Sequence, residues 1–368
     1  MSNKTLFDGH LRDIVKLLKT GKLCGYWQSF DGGENIRLFE QKFANYVGAK
    51  HAIAVSNGTT SIFVGLLACG VKKGDIVAVS PYTHVGSVAP ILMAGAIPKF
   101  IDVDEFGNID PDEINEPVNA IIAAHQIGLP CNMDKLKSFA ESKNIPLIED
   151  NAQGLGADYN NRKLGSIGDV GCFSIGGDMT KMITTGEGGV ITTDSEAIAT
   201  KCRNLRNHGD TMGADYLCFN ARMPEILGLI GLIQMDHLEY QIKWQKRNAE
   251  HLIANLPKYL TVPKIPSNVK PAHYIIGCVF HEEIAGLSRA EFLTSLHNSG
   301  FVGGLPRKNI GTGYRKLVYE IPFYSKYKTP CPNAEEKTKT AIWIDWVRYP
   351  RIKKEINELI AFLGSVTD

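Results

Sequence analysis

Thr180-Lys181-Met182-Ile183-Thr184-Thr185-Gly186-Glu187-Gly188-Gly189 is the stretch on which the reading of this chain turns. An apolar run from Val170 to Ile175 precedes it and reads as a buried strand; Val190-Ile191-Thr192-Thr193 follows and is β-prone. Gly186, Gly188 and Gly189 permit a tight turn and a close backbone approach between the two. The stretch has one lysine, Lys181, which this reading puts at the end of a core strand, on a stiff element beside a turn. A lysine before a hairpin is ordinarily a solvated surface residue. What changes that is its company along the chain.

Working outward, His51 to Val55 reads as a strand running into Ser56-Asn57-Gly58-Thr59-Thr60-Ser61 and an apolar helix, Ile62 to Cys69. A strand, a small polar loop and a helix start make an anion site, because the first helix amides lack internal partners and the dipole favours negative charge. An ordinary N-cap has the same composition without a ligand. Further strands read at Asp75 to Val79, Pro98 to Val103, Asn119 to His125 and Pro146 to Asp150. Between them lie an apolar helix to Ala94, a polar helix after Val103, and a helix over Met133 to Lys143. This alternation over residues 50 to 195 predicts an α/β fold, with a mostly parallel sheet and helices on both faces. Ligands of such sheets sit at the carboxyl ends of strands, and Ser56, His84, His125, Asp150 and Ser174 all fall just past such ends.

The flanks are less regular. Residues 7 to 22 read as a polar, amphipathic helix, followed by an aromatic and Gly-rich loop, Cys24 to Gly33, that includes Trp27. A helix near 34 to 47 has Ile36, Phe39, Phe43 and Tyr46 on one stripe. A long helical stretch runs from Glu225 to about Asn255; strand signals then mix with amphipathic helices near 289 to 298 and 352 to 364. The expected division is a large domain over 1–245, including the N-terminal helix and loop, and a smaller C-terminal α+β domain over 246–368.

Composition limits the function classes. The 368 residues are 44% hydrophobic and 21% charged with a net charge of +1, which fits a soluble protein with a sizeable core. No basic run points to nucleic acid, and no apolar run reaches membrane-spanning length. The 8 cysteines form no C-x-x-C, and no His/Cys spacing suggests a metal, so no metal site is expected. A reducing cytoplasm is the simplest compartment.

A phosphate-type loop, a carboxylate at a strand end, a flat ring at His84 and a lysine at a later strand end are what pyridoxal 5′-phosphate (PLP) requires. The lysine joins the aldehyde, the carboxylate keeps the ring nitrogen protonated, and a planar side chain stacks on the ring. Burial desolvates the amine and makes it a nucleophile near neutral pH. Asp150 as a plain helix cap, and His125 as a satisfied core histidine, are the structural alternatives. Trp343 and Trp346 are read as packing the small domain.

The chain resembles the DegT/DnrJ/StrS sugar aminotransferases, which are fold-type I PLP enzymes. The resemblance rests on FEQKFANYVGAKHAIAVSNGTTS (39–61), AGAIPKFIDVD (94–104), LIEDNAQGLGA (147–157), GSIGDVGCFS (165–174), TKMITTGEGGVITTD (180–194), LRNHGD (205–210) and FNARMPEILGLIGLIQMDHL (219–238). It implies a large, mostly parallel seven-stranded sheet. It also implies that Lys181 is the Schiff-base lysine and proton carrier, that Asp150 pairs with the pyridine nitrogen, and that Gln153 bonds the ring's 3′-oxygen. Gly58, Thr59, Thr60 and Ser174 then hold the phosphate. Asn220 reaches the phosphate of the neighbouring subunit, so a homodimer with shared active sites is expected. The implied reaction moves an amino group from glutamate or glutamine, through pyridoxamine 5′-phosphate, to a keto or aldehyde carbon of a sugar, most simply a nucleotide-linked one.

Three departures from the family pattern stand out. His84 occupies the ring-stacking position usually held by Trp, Phe or Tyr. The Ser174–Lys181 segment is two residues longer than usual, with Gly176-Gly177-Asp178 inside it, so either Ser174 or Thr180 is the phosphate ligand. The Trp27 loop and the region of Arg307, Lys308, Tyr314 and Arg315, which line the substrate side in the family, match its common members poorly; Arg307 and Lys308 either meet a diphosphate or are solvated. One rival reading is a dehydratase working with pyridoxamine phosphate, whose relatives have histidine where Lys181 stands. Another is a non-enzymatic regulatory relative, against which the intact Asp150, Gln153 and Lys181 argue.

Overall fold

A strand inside a sheet needs apolar cover on both faces, so its residues alternate between two cores. Seven segments meet that demand: β1 (His51–Val55), β2 (Ile76–Val79), β3 (Ile97–Phe100), β4 (Ala120–Ala124), β5 (Leu147–Asp150), β6 (Val170–Ser174) and β7 (Gly189–Thr193). In the computed structural model they form one sheet in the order β1-β7-β6-β5-β4-β2-β3. The structure describes residues 7, 9–26, 29–177, 181–208, 219–299, 310–345, 347–348 and 350–366. Strands β3, β2, β4, β5 and β6 are parallel, and β7 is antiparallel to both of its neighbours. Ile53, Val55, Val77, Val79, Ile122 and Ile148 face one core. Ala52, Ala54 and Phe173, with Ala78, Ile121 and Leu147, face the opposite side.

The helices supply the cover. They are α1 (Leu11–Thr20), α2 (Glu34–Val47), α3 (Gly58–Ala68), α4 (Val85–Met93), α5 (Met133–Lys143), α6 (Glu196–Arg206), α7 (Glu225–Met235) and α8 (Leu238–Ile253). Helices α3, α4 and α6 close the first face. The stripe Ile36, Phe39, Phe43 of α2 closes the second, with Phe43 edge-on to Phe173 at a centroid distance of 5.0 Å.

A second, antiparallel sheet joins β8 (Leu260–Thr261), β9 (Ile276–Phe280), β10 (Ile310–Gly311) and β11 (Ala341–Ile344) in the order β8-β9-β11-β10. It has its own core with Phe292, Leu296, Ile356 and Leu359. Helix α8 spans both cores: Leu238 and Ile242 pack in the first, Ala249 and Leu252 in the second. The chain then returns. Leu317, Val318, Tyr319, Cys331 and Ala334 are buried in the first core, and Asp102 accepts from the amides of Asn333 and Ala334 at 2.9 Å each.

Several elements differ from the sequence reading. The opening helix is Leu11–Thr20 only, stopped by Gly21 at φ 66. The polar helix after Val103 is a single 3₁₀ turn, Pro111–Glu113. The stretch from Glu225 breaks at Asp236-His237 into α7 and α8, which leaves α7 in the α2 core while α8 runs on to the second sheet. Lys181 does not sit at a strand end. Strand β6 stops at Ser174, and the ladder continues through Ile175 to Gly188 (2.9 Å) and Gly177 to Gly186 (2.7 Å), so Lys181 lies in the loop beyond Gly177. Trp343 is on β11, but its ring meets Tyr82 and Tyr314 at 6.2 and 4.8 Å, not the second core. Trp27, Asp178, Thr180, Arg307, Lys308 and Trp346 lie outside the described residues.

Candidate active site

The loop leaving β5 gathers the site. Asp150 ends the strand and is 6% exposed. Its Oδ2 accepts from Ser87 Oγ at 2.6 Å, and its Oδ1 from the Ala152 amide at 3.0 Å. Thr83 Oγ1 lies 2.9 Å from Ser87 Oγ and extends the chain of hydroxyls. No helix starts after Asp150, so it is not a helix cap. One residue past Ala152 comes Gln153, whose Oε1 accepts from the Ile127 amide at 2.6 Å and whose Nε2 donates to Tyr314 Oη at 3.3 Å. Lys181 Nζ donates to the Ala152 carbonyl, between the two. The lysine, the carboxylate and the amide predicted from sequence therefore meet at one loop. Lys181 Nζ also lies 4.9 Å from the centroid of the Tyr274 ring, against which Arg348 packs at 4.3 Å.

The neighbouring residue, Glu149, has a structural task. It is wholly buried and accepts from the amides of Gly165 (2.8 Å), Ile167 (2.8 Å) and Gly168 (2.7 Å). His125 Nε2 is 3.3 Å from its Oε2, and His125 Nδ1 accepts from the Cys131 amide at 3.1 Å. An acceptor at Nδ1 places the proton on Nε2, so both nitrogens of His125 are used and it is a core histidine. Burial alone would raise the Glu149 carboxyl; the His125 bond and the Gly165 and Gly168 amides outweigh it and hold it below the usual range.

The anion end is built at α3. Asn57 caps the helix by accepting from the Thr60 amide at 2.8 Å, and Thr60 Oγ1 sits 3.2 Å from Ser56 Oγ. The amides of Gly58 and Thr59 precede the first intrahelical bond. Strand β1, which aims this turn, is pinned by buried Arg206, with Nη1 2.6 Å from Glu40 Oε1 and 3.1 Å from the Ala54 carbonyl. Ser174 ends β6 directly against the turn: a Cβ on Gly58 would fall 2.6 Å from Ser174 Cβ and 3.1 Å from its Oγ. Only a hydrogen at position 58 keeps that cradle open. His84 Nδ1 caps α4 by accepting from Gly86 at 3.0 Å. A Cβ on Gly86 would lie 3.0 Å from both His84 Nδ1 and Thr59 Oγ1, so the ring borders the same cradle.

Asn220 is exposed and its Oδ1 accepts from the Arg222 amide at 3.1 Å. Its neighbour Ala221 accepts from Ser56 at 2.9 Å, which sets Asn220 beside the Ser56–Thr60 turn of its own chain. Sequence reading missed Ser87, Tyr274 and Arg348 altogether. Ser87 lies one turn from Thr83 and had a local signal; Tyr274 and Arg348 arrive from the second sheet and had none. A separate cavity of about 1090 Å³, lined by Asp104, Asp134, Thr261 and Asn333 among others, includes none of these site residues.

An open cradle of helix amides and hydroxyls, a buried carboxylate, an amide and a lysine at one loop fit PLP. The comparisons agree. A profile of the DegT/DnrJ/EryC1/StrS aminotransferase family matches residues 21–360. The chain is 32% identical to GDP-perosamine synthase of Vibrio cholerae over 279 residues, which is 73% of this chain and 75% of that protein. It is 29% identical to UDP-N-acetyl-3-dehydro-alpha-D-glucosamine 3-aminotransferase of Acidithiobacillus ferrooxidans over 364 residues, 94% of this chain and 91% of that one. The crystal structure of the aminotransferase from Psychrobacter cryohalolentis superposes with a TM-score of 0.86 at 28% identity, covering 96% of this chain and 95% of that one.

Proposed function

This chain belongs to the DegT/DnrJ/EryC1/StrS aminotransferase family, and on that premise we propose that it moves an amino group from glutamate or glutamine to a keto or aldehyde carbon of a nucleotide-linked sugar. Its cofactor is PLP, which supplies an aldehyde for the amine and an electron-poor ring that takes up the electrons of a cleaved C–H bond. Lys181 would hold the cofactor at its aldehyde and, through the same amine, would carry protons there. Asp150, fixed by Ser87 and the Ala152 amide, would hold the ring nitrogen's proton. Gln153 would give an N–H to the ring oxygen. The Gly58 and Thr59 amides, with Thr60 and Ser174, would hold the phosphate, and His84, which borders that cradle, would stack on the ring. The nucleotide-linked substrate is taken from the relatives named above, which act on GDP- and UDP-linked sugars by name.

The observation that supports this reading most is Lys181 Nζ on the Ala152 carbonyl, between Asp150 and Gln153. The test is the visible spectrum of the purified protein with PLP, before and after glutamate, with Lys181→Ala as control. A band that forms only with Lys181 and bleaches on glutamate is the expected result. Wild-type protein that forms no band would sink the reading.

A homodimer with Asn220 reaching across is part of the proposal. Leu11, Val15 and Leu18 on α1 are 61%, 48% and 51% exposed, an apolar stripe suited to a second copy. A division at 245/246, within α8, is part of the same proposal; the passage of packing from Ile242 to Ala249 supports it, while Leu317 to Ala334 return to the large sheet's core. A cytoplasmic location suits the described cysteines, all of which are free. No helix among the described residues is long and apolar enough to cross a membrane.

A further inference from the structure

Gln153 is held from two sides, and one side comes from the far end of the chain. Its Oε1 accepts from the Ile127 amide at 2.6 Å, which rules out the flipped amide, since an NH₂ cannot face an N–H. Ile127 offers that amide at φ 53, a backbone state costly for a β-branched residue. Strain of this kind persists where the surroundings over-determine it, and here Ile275 donates back to the Ile127 carbonyl at 3.3 Å. With Oε1 so committed, Nε2 must face the other way, and it donates to Tyr314 Oη at 3.3 Å. A primary amide has a second hydrogen on that nitrogen to give to the cofactor's ring oxygen.

Tyr314 is itself fixed. Its ring stands edge-on to Tyr82 (5.3 Å, 85°) and Trp343 (4.8 Å, 73°). Gly313, at φ 65, lets the chain pass over them; a Cβ there would fall 2.7 Å from Tyr82 Oη and 3.0 Å from the Trp343 indole nitrogen. Burial raises the Tyr314 hydroxyl well above its ordinary value, so its oxygen stays an uncharged acceptor.

We propose that Tyr314 is a positioning residue for the cofactor: its hydroxyl aims the Gln153 amide at the ring oxygen and so ties the segment after β10 to the PLP seat. The inference rests on the reading of Lys181, Asp150 and Gln153 as that seat. Tyr314→Phe keeps the ring packing and removes the acceptor. The measurements are PLP titration of the cofactor-free protein, the position of the visible band of the loaded protein, and the urea midpoint of the cofactor-free protein. Loss of one neutral hydrogen bond corresponds to about fivefold weaker PLP binding with a displaced band; the bond exists without the cofactor as well, so the urea midpoint falls too, and the band and the affinity decide. Gln153→Ala should weaken binding and displace the band likewise, and the double variant should add little to either single change. A Tyr314→Phe protein with the wild-type band and PLP affinity within twofold overturns the proposal, and a lowered urea midpoint would then assign Tyr314 to packing alone. Wild-type protein without a band would instead refute the PLP seat at Lys181, so the two failures are distinct.

Discussion

Glu149→Gln tests whether the acid beside Asp150 is structural. Its Oε1 serves the amides of Ile167 and Gly168, and its Oε2 serves the Gly165 amide and His125. Glutamine fits the volume but has only one acceptor atom. Placing its oxygen at the Oε1 position keeps two amides and turns its NH₂ toward Gly165 and His125. The Gly165 N–H then loses its acceptor. His125 can lose the proton on Nε2 only by placing one on Nδ1, against the Cys131 amide. Two buried donors are left unsatisfied in every arrangement, at about 1–3 kcal/mol each. The expected loss is therefore roughly 2–6 kcal/mol, a large part of the about 5–15 kcal/mol by which domains are stable. Urea unfolding of the cofactor-free protein measures it, with the midpoint moving and the slope held. A loss below about 1 kcal/mol would refute the reasoning, because it would mean that the amides find other acceptors. The sign with pH follows: a folded carboxyl held below its unfolded value stabilises above that value, and the contribution is lost as pH falls through the folded one.

Gly58→Ala should press on Ser174 from 2.6 Å, and overpacking of this kind costs about 1–3 kcal/mol, divided between stability and phosphate affinity; PLP titration within twofold of wild type and an unchanged urea midpoint would contradict the cradle. Ser87→Ala removes the 2.6 Å bond to Asp150 and should weaken PLP binding about fivefold, with Ser87→Thr recovering it; equal affinity in the alanine variant would count against the hydroxyl's role. His273 is pushed down to about 4 by burial and then by Lys246, so its contribution is complete above 6.5 and is lost as pH falls toward 4. Discounted for its partial exposure, about 1–2 kcal/mol should disappear over that range. His273→Asn, which tolerates the observed φ of 51, should flatten the slope of urea midpoint against pH; identical slopes would show that other groups cause it.

Local signals were legible where local physics decides the element. The α2 stripe gave Glu34–Val47, and α5 runs over Met133–Lys143 as read, between the Asn132 side-chain cap and Asn144 in the left-handed region. The positions of the Asn57–Thr60 turn and of Asp150 at strand ends were legible from the β-α alternation. Lys181 was found by motif but misplaced, because apolar pattern shows a strand's presence better than its end. The break at Asp236-His237 has neither glycine nor proline to announce it. Tyr274 and Arg348 reach the Lys181 loop only through packing of the second sheet, and sequence spacing does not encode that contact; Tyr314 was named through the family resemblance alone.

The return of Leu317 to Ala334 to the first core bears on how the chain can be made. All seven strands of the large sheet and their covering helices are complete by about residue 245, yet Phe100 then has no Tyr319 beside it at 5.5 Å and Asp102 lacks the amides of Asn333 and Ala334. At a synthesis rate of about 5–20 residues per second, the missing segment follows roughly 4–18 seconds later. During that interval the β3 edge of the nascent sheet is bare apolar surface. Release of the first 245 residues from the ribosome as a finished unit is thus not open to this topology, and a chaperone or the ribosome surface has a defined strand edge to shield.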